Sequence, residues 1–252
     1  MVRGQENYPI GEQNVIVSNH NCLMDTVYLP MSLPEEIVSL ISARLLYKNI
    51  ADRKEMVNQY LHALPIEAHG GNKYVHICLE NAIDCLMNGK SVSIFPEGAY
   101  IYAQKIFKGH TGASRILYGA RMNHQKVNLV PVSISVSLKD DLDDYYQMND
   151  KVEITILPPV DYEEAFYNYK YATTLEEKNL CLHHPVDIAM QRIARQLDVP
   201  YEDRYIYLIP KGNVMFADGS VVDVTTAQSS FYIERYNREL HDKAMNLLKV
   251  MK

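Results

Sequence analysis

The chain has 252 residues, a formal net charge of −6, 47% hydrophobic residues, 19 tyrosines and no tryptophan. That length suits one large domain or two small ones, the apolar share is ample for a core, and the acidic balance argues against a nucleic-acid binder. The opening MVRGQENYPIGEQ has no apolar stretch of the kind a signal peptide needs, and no uncharged apolar run approaches the ~20 residues that span a bilayer, so membrane contact is expected to be peripheral.

In chain order, the first strand is Val15–Ser18, which runs into the polar Asn19-His20-Asn21 and then Asp25. A strand at Ile37–Ile41 and helical patterns at Ala43–Tyr47 and Lys54–Ala63 follow, then a strand at Leu64–Glu67. Asn72–Met87 repeats apolar residues at helical spacing, with Asn88-Gly89 as its stop. After a strand at Val92–Phe95 come a helix at Gly112–Met122 and strands at Val127–Ser135 and Val152–Leu157. Pro131 lacks an N–H for the ladder, which predicts an edge or a bulge there. Further on, a helix over Thr174–Leu197 is expected to break at His184-Pro185. A hairpin with Lys211-Gly212-Asn213 at its turn and a final helix over Ser229–Met251 complete the chain. Strands alternating with helices predict an α/β fold: a mixed, largely parallel sheet flanked by helices, with a C-terminal helical and hairpin extension. Residues 1–160 are expected to form the core and 161–252 an extension packed on it. Ligands in such sheets bind beyond the carboxyl ends of strands.

Charge is unevenly spread. From Gly98 to Lys139 there is no acid, while Lys105, Lys108, Arg115, Arg121, Lys126 and Lys139 are basic; from Asp140 to Glu164 nine acids face one base, Lys151. The basic run reads either as a solvated face or as an anion-binding wall for phosphate or an acidic carrier protein.

Two strand ends and one helix start carry the polar residues that chemistry needs. His20 and Asp25 stand five residues apart, about 140° on an ideal helix, so they meet only if His20 lies in the turn before a helix and Asp25 within it. The carboxylate would then hold one imidazole nitrogen and leave the other to act as a base; the competing reading is an ordinary helix cap with a solvent-facing histidine. SIFPEGAY sets Glu97-Gly98 at the end of a second strand, and FKGHTGASRILYGA brings Lys108-Gly109 before a helix start suited to an anion.

In this order and spacing, NHNCLMD, FPEG and VPVSI, preceded by GQENYPIGEQNVIVSNH, resemble the lysophospholipid and glycerol-phosphate acyltransferase family over about Val2 to Val160. The resemblance implies transfer of a fatty acyl group from acyl-CoA or acyl-carrier protein to a hydroxyl of a glycerolipid-type acceptor at a membrane surface. It implies His20 as general base, Asp25 as its orienting partner, and Glu97 and Gly98 as acceptor contacts. The expected substrate-binding set is Asn19, Glu97, Gly98, Lys105, Lys108 and Gly109, and no cofactor is implied. Two departures bear on the acceptor. The stretch LPIEAHGGNK has no arginine, and Ala99-Tyr100-Ile101 stands where the family has Thr-Arg-Ser. Lys73, Lys105 or Lys108 would have to meet an acceptor phosphate, as point charges rather than bidentate forks. The alternatives are an acyltransferase for a non-phosphorylated acceptor, or a non-catalytic acyl-chain binding module.

Other constellations are weaker. His20, Cys22, Asp25 and His183-His184 have no recurrent metal-ligand spacing. NGKS lacks the glycine of a P-loop, and no Gly-x-Ser-x-Gly elbow exists. Cys22 reads as a buried bystander rather than a nucleophile. With Cys78, Cys85 and Cys181 it shows no C-x-x-C pairing, consistent with reduced thiols in a cytoplasmic protein peripheral to the inner face of a membrane. His69 and His110 sit in loops near the expected cleft. The oxyanion is expected to meet N–H groups near Gly98 or at the Lys108-Gly109 turn.

Overall fold

A computed structural model of the chain describes residues 1–22, 24–42, 63–66, 72–99, 105–136, 151–209, 213–216 and 221–223. Strand β2 (Gln13–Ser18) lies at the heart of a seven-stranded sheet because Val15, Ile16 and Val17 are apolar on both faces and wholly buried. The other strands are β1 (Val2–Arg3), β3 (Ile37–Ser42), β4 (Ala63–Ile66), β5 (Ser91–Ile94), β7 (Val127–Val136) and β8 (Val152–Ile156), in the order β1-β8-β7-β2-β5-β3-β4. Every neighbouring pair is parallel except β7 with β8. The mixed, largely parallel sheet flanked by helices is thus as expected.

The helices are α1 (Asp25–Ser32), α2 (Asn72–Met87), α3 (Gly112–Met122), α4 (Glu163–Tyr171) and α5 (Leu175–Leu197). Val15, Val17, Val92 and Ile94 share one apolar cluster with Leu79, Ala82 and Leu86 of α2, Ile116 and Leu117 of α3, and Val186, Met190 and Ile193 of α5. Ile16 points the other way, to a second cluster with Tyr28 and Leu29 of α1. Helix α2 ends as read: Gly89 adopts a left-handed φ of 80°, and the Lys90 N–H closes back on Cys85 O at 3.0 Å.

Three expectations are corrected. Of the edge and the bulge expected at Pro131 the edge is excluded, because β7 lies between β8 and β2 and Pro131 pairs in register with Val17; the bulge agrees with a β7–β8 register that passes from Val132 opposite Ile156 to Leu129 opposite Val160, a slip of one residue. The proline fits because it stands where the β7–β8 ladder ends; its carbonyl accepts from Leu157 N at 2.9 Å, and the missing donor faces Leu157 rather than β2. Helix α5 does not break at Pro185. It runs from a Thr174–Glu177 capping box to Asp198, and its buried face (Leu182, Pro185, Val186, Ala189) overrides the local penalty. The hairpin exists as β10 (Ile206–Ile209) against β11 (Asn213–Phe216), with Asn213 in the strand and β12 (Val221–Asp223) added antiparallel. The helices expected at Ala43–Tyr47 and Ser229–Met251, and all of Lys54–Ala63 but Ala63, lie outside the described residues; Ala63 begins β4. No helix among the described residues is long and apolar enough to cross a membrane.

Candidate active site

The parallel β2–β5 pairing places Val17 beside Ile94. His20 comes three residues after Val17 and Glu97 three after Ile94, so both leave the sheet at the same carboxyl edge, where this class of fold binds ligands. His20 is 7% exposed and Asp25 fully buried. His20 Nδ1 lies 3.1 Å from Asp25 Oδ2. Asp25 is the first residue of α1 rather than one turn inside it, and its Oδ2 also accepts from the backbone N–H groups of Asn21 and Cys22. A carboxylate at that distance holds the neutral imidazole as the Nδ1–H tautomer, which puts the lone pair on Nε2. The ring is fixed further by stacking on Phe95, with centroids 4.0 Å apart and planes 16° from parallel.

The other expected site residues divide between the corner and its supports. Asn19, also buried, donates through Nδ2 to Ile134 O at 2.9 Å and accepts from Ile134 N at 2.8 Å, extending the β2–β7 junction beyond Ser18. Glu97 Oε2 accepts from His20 N at 3.1 Å and Oε1 from Phe107 N at 3.0 Å. Burial raises the Glu97 carboxyl to about 7, and the charge of Asp25 adds to the rise against the lowering pull of the two N–H donors. Gly98 turns with φ of 72°, and a Cβ there would come 3.1 Å from the His110 ring. Gly109 is a close-packing position: a Cβ would lie 2.6 Å from Val186 Cγ1 and 2.7 Å from Pro96 Cβ. Gly109→Ala is therefore expected to lower stability by about 1–3 kcal/mol in denaturant unfolding, through overpacking between the Pro96 turn and α5; a change below about 0.5 kcal/mol would contradict this packing.

The basic run is individually neutralised where it nears the corner. Lys108 Nζ lies 2.6 Å from Asp203 and 4.0 Å from Asp187, and Lys105 Nζ 3.9 Å from Glu202. The Asp203 hydrogen bond raises the Lys108 ammonium above its ordinary value. Elsewhere Arg121 binds Glu163 and Lys126 binds Glu12. Two of the amides near the expected oxyanion position are engaged: Gly98 N–H donates to Phe95 O, and Lys108 N–H to Glu202 O.

Sequence reasoning missed the elements behind these contacts. β6 (Ile106–Phe107) pairs in parallel with β9 (Tyr201–Glu202), and His110 stacks on Tyr205 at 4.7 Å, which in turn reaches His183 Nε2 at 2.9 Å. A two-residue strand leaves no periodicity to detect. The Cys22 thiol, pushed up to about 12 by burial and by Asp25, is unsuited to nucleophilic attack. None of the four cysteines forms a disulfide, and among the described residues no three His, Cys, Asp or Glu side chains gather as metal ligands.

No curated protein sequence matches the chain significantly. Among solved structures it is similar to the 1-acyl-sn-glycerophosphate (LPA) acyltransferase of Thermotoga maritima, at 21% identity over 77% of this chain and 71% of that one, with a TM-score of 0.49. The family model described as Acyltransferase matches residues 1–135, a span that carries β1 to most of β7 and includes His20, Asp25, Glu97 and Gly98. By that match over more than half its length, the chain belongs to the acyltransferase family.

Proposed function

We propose that the chain transfers an acyl group from a thioester, acyl-CoA or acyl-carrier protein, to a hydroxyl of a glycerolipid-type acceptor at a membrane surface. The observation that carries this reading is the buried His20–Asp25 pair, held at 3.1 Å at the carboxyl end of the central strand. In the proposed reaction His20 Nε2 takes the proton of the acceptor hydroxyl as its oxygen attacks the thioester carbonyl carbon. Asp25 keeps the ring in the required tautomer and stabilises the imidazolium that forms. The tetrahedral adduct collapses with cleavage of the C–S bond, and the imidazolium returns the proton to the departing thiolate. No covalent intermediate on the protein is needed.

One observation favours a second reading of the acceptor. Lys108 already has two carboxylates around it, and the one beside Lys105, Glu202, is shared with Arg204, so a phosphate would have to compete with Asp203 for Lys108 in a cluster whose charges already balance. This supports an acceptor without a phosphomonoester, such as an aminolipid, a sugar or a secondary metabolite. Thiol release from acyl-CoA and from acyl-carrier protein, measured with paired acceptors that differ only in a phosphate, tests both readings. Acceptor-dependent thiol release is expected. Equal or better turnover of the phosphate-free partner selects the second reading, and no acceptor dependence with any pair removes the proposal.

A further inference from the structure

His20 is gripped by two carboxylates. Asp25 holds the ring at Nδ1, and Glu97 holds the main chain at the N–H. The second grip is not local. Glu97 belongs to the turn after β5, and its other oxygen accepts the N–H of Phe107 in β6. β6 is in turn fixed from its far side: Ile106 pairs with Tyr201 and Phe107 with Glu202, Ile106 N–H donates to Pro200 O at 2.9 Å, and Lys108 N–H to Glu202 O at 2.9 Å. A single side chain therefore bridges the His20 corner to a β6–β9 ribbon, and β9 lies outside the residues that match the family model. Glu97 is only 6% exposed. Ionised, at a pH above its raised value, that carboxyl has two acceptor oxygens and no donor, the complement of two converging N–H groups.

We propose that Glu97 is a positioning residue: it acts on transfer through the main chain of His20, by strapping it to β6, rather than through contact with the acceptor. The proposal rests on His20 acting as the base. An amide at position 97 separates the possibilities, because it has one oxygen and one NH2 group. It can satisfy one of the two N–H donors but must turn a donor toward the other. The His20 corner is then released on one side while volume is retained. Misplacement of a reacting group by about 1 Å costs on the order of 100-fold in rate.

The test is Glu97→Gln, in the wild-type and the His20→Ala backgrounds, with circular dichroism to check the fold. The expected result is a kcat lower by about 10- to 100-fold, with KM for donor and acceptor each within about threefold. Acceptor-independent thioester hydrolysis should fall by the same factor, because water needs the same base. In the His20→Ala background Glu97→Gln should cause no additional loss. An unchanged kcat with an acceptor KM raised tenfold or more, or an additional loss on top of His20→Ala, overturns the proposal. So does a variant with unchanged kinetics. A near-fully active His20→Ala would instead remove the proposed function itself, so the two failures are distinguishable. Should Glu97→Gln not fold, amide hydrogen exchange in the wild-type chain decides: the His20 and Phe107 amides must both be strongly protected and open together. Exchange of Phe107 at the rate of an exposed loop overturns the strap.

Discussion

His20→Ala is expected to lower kcat/KM for acyl transfer by about 10²- to 10⁴-fold, the range in which a positioned general base contributes. The loss follows from geometry. The ring lies at the carboxyl end of the central strand, stacked on Phe95 and held at Nδ1, which puts the lone pair that accepts a proton on Nε2. The fold should survive, because the main-chain hydrogen bond from His20 N–H to Glu97 does not depend on the side chain. A stability loss of about 0.5–3 kcal/mol is the ordinary consequence of such a substitution. Single-turnover and steady-state rates with acyl-CoA measure the effect, and a variant within threefold of wild type would remove His20 from the reaction.

Asp25→Asn is expected to have the next largest effect, about 10²- to 10⁴-fold in kcat/KM, by analogy with serine proteases, where the same change in the histidine's partner disrupts the tautomer. Here one oxygen, Oδ2, receives the His20 Nδ1 contact together with the Asn21 and Cys22 N–H groups. An asparagine oxygen can still accept these bonds, so the corner should stay folded. The negative charge that stabilises an imidazolium is lost. Asp25→Ala is a less informative change, since it also leaves two buried amides without this acceptor, at about 1–3 kcal/mol each. Because the two side chains act as a unit, the double variant should be no slower than His20→Ala alone. Additive losses in the double variant would show that Asp25 does not work through His20.

Much of the sheet was legible because its strands are short apolar runs, and β2, β5 and β7 fall within one or two residues of their expected limits. α2 and α3 match their expected limits, and α5 starts one residue late, with Thr174 as its cap. Helix α4 was missed: Ala165 is its only buried residue and its sequence is rich in tyrosine, so it carries neither a clear apolar stripe nor strong propensity. Which of an edge or a bulge holds at Pro131 was not legible, because tolerance of a missing donor depends on where the partner strand's ladder slips or ends, which a single sequence does not display.

At the site, residue types and strand ends were visible, but partners across the fold were not. Asn19 meets Ile134, 115 residues away, and Lys108 meets Asp203, 95 residues away. The Glu97 carboxylate reads in sequence as a ligand contact because it sits at a strand end. Its engagement with two main-chain amides emerges only once β5 and β2 are aligned with Val17 opposite Ile94 and β6 is laid against β9. The basic run likewise reads as an anion-binding wall until its acids, contributed by α5 and the residues after it, are brought alongside.

The proposed reaction forms an ester from a thioester by way of His20. The most direct measurement is mass spectrometry of the products after incubation with isotopically labelled acyl-CoA and a lipid extract, with wild-type and His20→Ala protein in parallel. A labelled acyl ester is expected with wild-type protein and none above background with His20→Ala. A labelled product formed equally by both proteins would contradict it.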